Sequence, residues 1–168
     1  MAALAYLLTF SCYGTHVPGS EKGWVDERHC SPGSPMRRGC TELSDYWRAH
    51  LHEPPLVLGK EETRLTLEAI VGVCEYRGWS THAVHVRSSH VHVVVAGEAV
   101  PEKMLADFKA DATRALRART DVPRKRYWTD HGSTRYLWNE VSLKAAIEYV
   151  LHGQGDRMAC YPLAELGR

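Results

Sequence analysis

Apolar residues in the first half of the chain follow a pattern that predicts one strand, a long loop and a helix. Residues 1–10 are almost all apolar, and a run of this length is typical of a buried strand because it is too short to span a bilayer. Residues 14–59 are rich in proline and glycine and predict a long loop insertion, with a short helix possible around 41–52. The next helix is indicated by apolar residues at helical spacing and a glycine that can end it: Leu67, Ile70, Val71, Cys74 and Gly78.

The middle of the chain predicts a β-hairpin and a second amphipathic helix. Residues 79–86 and 90–96 are extended segments rich in β-branched residues, joined by a short polar turn. Pro101 suits the first position of a helix that lasts to about Arg119. The core-facing stripe of this helix consists of Leu105, Phe108, Ala112 and Leu116.

A short strand and a last helix complete the predicted order of elements. Residues 135–138 form the strand, and Ser142 can cap a helix that continues to about His152. This order is that of a ferredoxin-like βαββαβ sandwich with an added C-terminal helix. We therefore predict an α+β fold with an antiparallel sheet, in a single domain that spans residues 1–168.

Composition sets few limits on function. The chain has 168 residues, 44% of them hydrophobic, which is enough for one domain with a sizeable core. Its 21 basic and 20 acidic residues give a formal net charge of +1, so attraction to nucleic acid would require an uneven distribution of charge. Ten histidines are unusual in so short a chain, and their positions therefore matter for function.

The five cysteines are widely spaced along the chain. This spacing argues against a disulfide framework and a CxxC zinc ribbon, and favours a cytoplasmic location. His29, Cys30 and Cys40 could hold zinc in one loop, but they lack the close pairing of such sites, and we interpret these cysteines as free thiols.

Two histidines share one face of the second hairpin strand. His90 and His92 alternate with valines, so they project together, roughly 7 Å apart at Cα, while Val91 and Val93 face the other way. A solvent-exposed pair and a metal-binding pair are both consistent with this pattern. Thr, Lys or Glu would be more usual on a solvated face, which favours metal ligands.

Other folds with a His-x-His motif fit the sequence less well. A cupin barrel would need a nearby glutamate and an all-β chain, whereas Glu98 lies too far downstream and several helices are predicted. A two-histidine phosphoesterase would need a second His-x-Thr/Ser element, and residues 80–82 have the wrong order. His82 and His85 lie on opposite faces of their strand, so at most one of them approaches the pair.

Tyr149 lies on the flank of the last helix, about 120° from the centre of its apolar stripe. Packing can hold such a ring while its hydroxyl reaches solvent. By itself the position is more typical of a structural tyrosine than of a reactive one.

Three features together resemble the single-tyrosine HUH transposases, which include insertion-sequence enzymes and REP-associated tyrosine transposases. These features are the ferredoxin-like order, the histidine pair on a central strand, and a tyrosine on a C-terminal helix followed by an amide. The matching stretches are residues 6–10, 89–95, 108–110 and 149–154, so the resemblance extends along most of the chain outside the 14–59 loop.

The resemblance implies roles for the site residues. His90 and His92 would hold a divalent ion, with Mg²⁺ or Mn²⁺ favoured and Zn²⁺ as the alternative, and Tyr149 would attack a phosphodiester of single-stranded or hairpin DNA. A 5′-phosphotyrosine can be rejoined to a 3′-hydroxyl without ATP because a phenol is a better leaving group than an alcohol. The family usually has its third ligand four residues after the tyrosine, where this chain has Gly153, so either Gln154 or His152 would complete the site.

Basic residues cluster before the last helix. Between 114 and 126 six basic residues accompany one acid, a local charge of +5, and aromatic residues follow. Such a run is often only a solvated helix end, but beside a phosphodiester site it favours DNA contacts. The predicted DNA-binding residues are Lys109, Arg114, Arg117, Arg124, Lys125, Arg126, Trp128, His131 and Arg135.

The sequence thus indicates a metal-dependent DNA strand transferase, and the resemblance implies a homodimer. One alternative is a hairpin-DNA-binding protein that has kept the fold and lost cleavage, which the displaced amide favours. The other is a hydrolytic metalloenzyme in which the histidine pair activates water and Tyr149 is structural.

Overall fold

The computed structural model describes residues 2–21, 35, 37–119 and 124–162. The strands are β1 (Ala5–Ser11), β2 (Ser80–Val86), β3 (His90–Ala96), β4 (Ser133–Leu137) and β5 (Ala159–Tyr161). The helices are α1 (Thr41–Ala49), α2 (Lys60–Arg77), α3 (Pro101–Arg117) and α4 (Glu140–His152).

The strands form one sheet in the order β4-β1-β3-β2-β5, in which all neighbours are antiparallel. Alternation along β3 sends Val91, Val93 and Val95 into a core with α2 and α3, and Val94 into a second core with α4. The α+β fold with an antiparallel sheet and an added C-terminal helix is confirmed. The histidine pair therefore lies on the face that α4 covers.

A bulge in β2 decides which of its side chains reach that face. The register shifts between Thr81 and Ala83, so that His85 lies opposite His92 and Val86 opposite Val91. His85 consequently lies on the α4 face of the sheet, beside the histidine pair.

The helix ends follow the local chemistry of the sequence. Gly78 ends α2 with a φ of 68°, the left-handed conformation that glycine adopts without strain, and Pro101 opens α3. The cap of α4 is Asn139 rather than Ser142. The Asn139 side chain accepts the N–H of Ser142 at 2.8 Å, and the Ser142 hydroxyl accepts the N–H of Asn139 in return.

Of two further elements, one was considered possible from the sequence and one was missed. The 14–59 loop contains α1, at the place where a short helix was considered possible. Strand β5 was not predicted, because it has only three residues and one buried side chain, Cys160, too few for a visible alternation.

Some predictions fall on residues outside the described ranges. His29 and Cys30 of the considered zinc cluster are among them, whereas Cys40 is an exposed free thiol at the start of α1. Residues 120–123, which follow the predicted end of the second amphipathic helix near Arg119, also lie outside the described ranges. Among the helices of the described ranges, none combines the length and the apolar character that crossing a bilayer requires.

Candidate metal and tyrosine site

The histidine pair is held between two strands that fix its orientation. Thr9 and Ser11 of β1 lie opposite His92 and His90 in the register. The two imidazole rings lie 4.8 Å apart between centroids and are nearly perpendicular, at 83°. Rings this close can direct nitrogen atoms at one cation.

Hydroxyl groups engage the Nδ1 atoms of both rings. The Thr9 Oγ1 atom lies 2.8 Å from Nδ1 of His92, and the Ser89 Oγ atom lies 3.0 Å from Nδ1 of His90. In the tautomer whose Nδ1–H donates to a hydroxyl, Nε2 carries the lone pair that binds a metal. Thr9 was not singled out from the sequence, because only the strand register brings it to His92.

His92 is the buried member of the pair, with 5% of its surface exposed. Burial, as the largest cause, and the neighbouring His90 together lower the pKa of His92 to about 4, although the Gln154 side chain acts in the opposite direction. The ring is therefore neutral at pH 7. Its Nε2 atom is buried and forms no hydrogen bond with any described residue, although the Gln154 amide lies near enough to affect the pKa.

Tyr149 lies beside this pair on α4. Ala146 and Val150 of the helix are buried against the sheet, which fixes the position of the tyrosine on the helix flank. The Tyr149 ring lies 5.6 Å from the His92 ring between centroids, and 48% of the residue is exposed. Tyr149 thus lies next to the histidine pair and is also accessible from solvent.

The helix end brings Gln154 back toward the tyrosine. Gly153 caps α4 with its N–H donating to the Tyr149 carbonyl at 2.9 Å, and the Gln154 side-chain amide donates to the same carbonyl at 3.3 Å. Gln154 is the candidate third ligand whose side chain acts on His92, whereas His152 is exposed in the last turn of α4. The five-residue spacing from Tyr149 therefore still places an amide near the pair.

The side chains of this site suit a divalent ion. Within the described part of the chain, no three His, Cys, Asp or Glu side chains converge, so a site made wholly of these residues is not found there. Two imidazoles with a nearby amide form a different donor set, and the Nε2 atom of His92 is buried without a hydrogen-bond partner among the described residues. These residues fit a metal that keeps open positions for substrate.

The basic segment 124–126 comes just before residues that are hydrogen-bonded to the end of the sheet that carries the pair. Thr129 donates its N–H to the Ser11 carbonyl at 3.0 Å, and Ser11 lies opposite His90. The backbone N–H groups of Lys125 and Arg126 donate to the Glu53 carboxylate at 2.9 and 2.7 Å, and they hold its pKa below the usual range.

Tyr13 also orders the same segment. The guanidinium groups of Arg124 and Arg126 lie 5.9 and 5.7 Å from the centre of the Tyr13 ring, and Arg124 also donates to the Pro54 carbonyl. Neither Glu53 nor Tyr13 was singled out from the sequence, because Glu53 belongs to the long loop, Tyr13 directly precedes it, and only the tertiary structure brings them to the basic segment.

The remaining predicted DNA contacts occupy different surroundings. Arg135 lies opposite Leu7 on exposed β4, so alternation places it on the same face as His92. Arg117 lies over the Tyr127 ring at 5.5 Å, and exposed Arg114 pairs with Asp111 on the helix layer that covers the opposite face of the sheet.

Lys109 and Trp128 form contacts within the protein. The Lys109 ammonium donates to the carbonyls of Thr129 and His131, and burial lowers its pKa. The Trp128 indole N–H donates to the Lys109 carbonyl at 3.1 Å and to Thr113 Oγ1 at 2.9 Å. Both side chains therefore fix the backbone of the 127–131 segment, in which exposed His131 adopts a positive φ of 62°.

Comparison with known proteins gives a match in fold but none in sequence. The sequence matches no family model and no curated protein. A solved structure of a REP-associated tyrosine transposase bound to a REP hairpin superposes on the chain with a TM-score of 0.50 and 12% identity. The chain shares the fold of that structure. The superposition covers 90% of this chain and 66% of that protein, slightly less than two thirds of its length, and at this identity the likeness extends to the fold alone.

Proposed function

We propose that the protein is a metal-dependent DNA strand transferase that cleaves and rejoins single-stranded or hairpin DNA through Tyr149. The observation that carries this proposal is the position of a half-exposed tyrosine 5.6 Å from a buried histidine whose Nε2 atom has no partner among the described residues. A tyrosine with only a structural role would not require two histidines suited to bind a metal beside it. The hairpin-bound transposase of similar fold supports DNA as the substrate class.

In this proposal the phenol oxygen of Tyr149 attacks the phosphorus atom and loses its proton to solvent. The new O–P bond forms as the bond to the 3′ oxygen breaks, and the departing oxygen takes a proton to become a 3′-hydroxyl. The reverse attack by a DNA 3′-hydroxyl restores the phosphodiester and the phenol. Half exposure of Tyr149 suits these proton exchanges with water.

His90 and His92 would hold the metal ion, with Gln154 as the third ligand. When bound, the ion would neutralise charge that develops on the scissile phosphate. The pKa of His92, about 4, keeps this ring neutral and able to coordinate near neutral pH. The ion is Mg²⁺ or Mn²⁺ in this proposal, as the chemistry of phosphate transfer favours.

A covalent capture experiment tests the proposal. The protein is mixed with Mn²⁺ and a 3′-labelled DNA hairpin whose single-stranded flanks are randomised, and adducts are separated under denaturing conditions. We expect a labelled adduct from the wild type and none from Tyr149→Phe or after chelation. Tyr76→Phe is the matched control, since Tyr76 is 85% exposed on α2, away from the pair. Equal labelling of Tyr149→Phe and wild type would exclude Tyr149 as the nucleophile.

The label position separates this reaction from other outcomes. A 5′-phosphotyrosine retains the fragment on the 3′ side of the cut. A strand labelled at its 5′ end should therefore give an adduct that carries no label. Cleavage without an adduct, unaffected by Tyr149→Phe, would instead indicate the hydrolytic metalloenzyme.

A DNA-binding protein without cleavage is the second candidate. The Gln154 amide donates to the Tyr149 carbonyl, and its position five residues after Tyr149 favours a site with a weakened third ligand. This candidate predicts tight hairpin binding with a steep salt dependence and no adduct with Mg²⁺, Mn²⁺ or Zn²⁺.

A further inference from the structure

His85 is a buried histidine for which the proposed reaction has no chemical use. It lies opposite His92 in the sheet register and has no exposed surface. Its Nδ1 atom lies 3.0 Å from the carbonyl of Val150, and its Nε2 atom accepts the backbone N–H of Met158 at 3.2 Å. Because Nε2 accepts, the proton is on Nδ1, which donates to Val150. The ring is thus fixed in one tautomer by two backbone groups.

These two backbone groups bracket the turn that follows the tyrosine helix. Val150 follows Tyr149 in the last turn of α4, where carbonyl groups lack helical partners. Met158 immediately precedes β5, which pairs with β2. One side chain of β2 therefore holds both ends of the segment that contains Gln154.

Arg87 holds the middle of the same segment. Its Nη1 atom donates to the Asp156 carbonyl at 2.9 Å, and Gly155 next to this carbonyl has a φ of 77° that favours glycine. The turn from Gly153 to Met158 is thus held to β2 and the β2–β3 connection by two side chains. We name these two side chains, His85 and Arg87, the turn clamp.

We infer that His85 is a positioning residue that, with Arg87, sets Tyr149 and Gln154 relative to His92. Gln154 comes one residue later than the position one helical turn after Tyr149, so helical spacing does not place it on the same face. In this inference the turn clamp sets its position instead. The contacts of His85 with the segment 150–158 exist whether or not the protein cleaves DNA. Their effect on the reaction rate rests on the proposed function. Packing alone would accept any apolar side chain of similar volume at position 85.

Substitutions at position 85 separate positioning from packing. His85→Phe fills the space and removes both hydrogen bonds, and His85→Asn keeps a donor near the Val150 carbonyl. We expect His85→Phe to slow adduct formation by about tenfold or more while hairpin affinity stays within about threefold, because misplacement of reacting groups affects rate more than binding. His85→Asn should recover part of the rate.

Hydrogen exchange provides a readout that does not need activity. The Met158 amide loses its acceptor in His85→Phe and should exchange at least about tenfold faster, with the α2 amides unchanged. If the wild type forms no adduct, the proposed function fails, and the Met158 exchange rate alone then supports or overturns the clamp. Wild-type adduct rates and unchanged Met158 exchange in His85→Phe would overturn the inference.

Arg87→Met keeps the test valid if His85→Phe fails to fold, since Arg87 is only partly buried. Arg77→Met is its matched control, because Arg77 forms a surface ion pair with Asp107 at 3.1 Å on the α2 and α3 layer. A slower adduct rate in Arg87→Met at unchanged hairpin affinity supports the clamp. Equal rates for the two arginine variants overturn it.

Discussion

At the scale of single residues, the Thr9 hydroxyl determines which nitrogen of His92 remains available. It engages Nδ1 at 2.8 Å, while Nε2 is buried without a partner among the described residues. A partner of this kind fixes the tautomer and the ring orientation of a metal-binding histidine. His92 could be predicted from alternation along β3, but Thr9 could not, because the two residues are 83 positions apart.

Thr9→Val should therefore weaken metal binding. Valine keeps the β-branched shape but removes the hydroxyl, and loss of such a partner typically lowers metal affinity by about 10- to 100-fold. Titration with Mn²⁺, followed by electron paramagnetic resonance, measures the change. Thr66→Val is a matched control, since Thr66 is a buried threonine on α2 whose hydroxyl has no partner among the described residues. Equal Mn²⁺ affinity in both variants would contradict the role of Thr9.

The lowered pKa of His92 predicts a specific acid sensitivity. The folded ring resists protonation until about pH 4, whereas the unfolded ring takes up a proton near pH 6.5. The unfolded state therefore binds more protons within this window, and stability falls as the pH falls from 6.5 to 4. Buried His85, whose pKa is also lowered, adds to the effect in the same direction.

Urea unfolding of the metal-free protein at about pH 7 and about pH 4.5 measures this sensitivity. We expect the contribution of His92 to the free energy of unfolding to be about 2 kcal/mol smaller at the lower pH than at the higher pH. His92→Gln should lose correspondingly less stability than the wild type. An identical loss in the two proteins would show that His92 does not titrate in this way.

At the scale of elements, hydrophobic periodicity located the long helices and the central hairpin well. Their apolar stripes recur over many residues, so each element is visible without knowledge of its neighbours. Periodicity missed β5, which is short and depends on pairing with β2 for its existence. It also gave no sign that the basic segment 124–126 is held by Glu53, because that contact joins residues 72 and 73 positions apart.

Glu53→Gln tests whether DNA binding by the basic segment depends more on its ordered conformation or on its net charge. Removal of a negative charge near Arg124 and Lys125 should by itself tighten DNA binding. We expect hairpin affinity to fall several-fold instead, because the amide accepts hydrogen bonds more weakly than the carboxylate that now orders the segment. Fluorescence anisotropy measures the affinity, with Glu75→Gln on α2 as the control. Tighter binding by Glu53→Gln than by the control would show that charge dominates.

At the scale of the whole molecule, a near-neutral chain places some of its cations beside the candidate site. The formal charge of +1 is an average, since the basic segment 124–126 and Arg135 lie around the end and face of the sheet that carry the histidine pair. Arg64 of α2, by contrast, is paired with Glu61 and Glu68. The implied homodimer stays a prediction.

This arrangement predicts how DNA binding responds to salt. Replacement of Arg124, Lys125 and Arg126 by glutamine should reduce the slope of log Kd against log salt by about 0.7 to 0.9 for each phosphate that the variant no longer neutralises. Binding titrations between about 50 and about 300 mM salt measure the slope. Arg64→Gln is the control because its cation is already paired. An unchanged slope in the triple variant would place the phosphate-binding residues elsewhere.

The sequence by itself determined the type and order of most elements, the α+β class, and the shared face of His90 and His92. These properties follow from the period of side chains along a helix or strand, which is local and is therefore present in the order of the residues. The tertiary structure alone decided that Thr9 engages His92, that Gln154 approaches it, and that His85 holds the tyrosine helix. Each of these depends on a strand register, a bulge or a helix end that brings distant residues together. The hydrogen bonds of His92 with Thr9 and of His85 with Val150 join residues that are 83 and 65 positions apart.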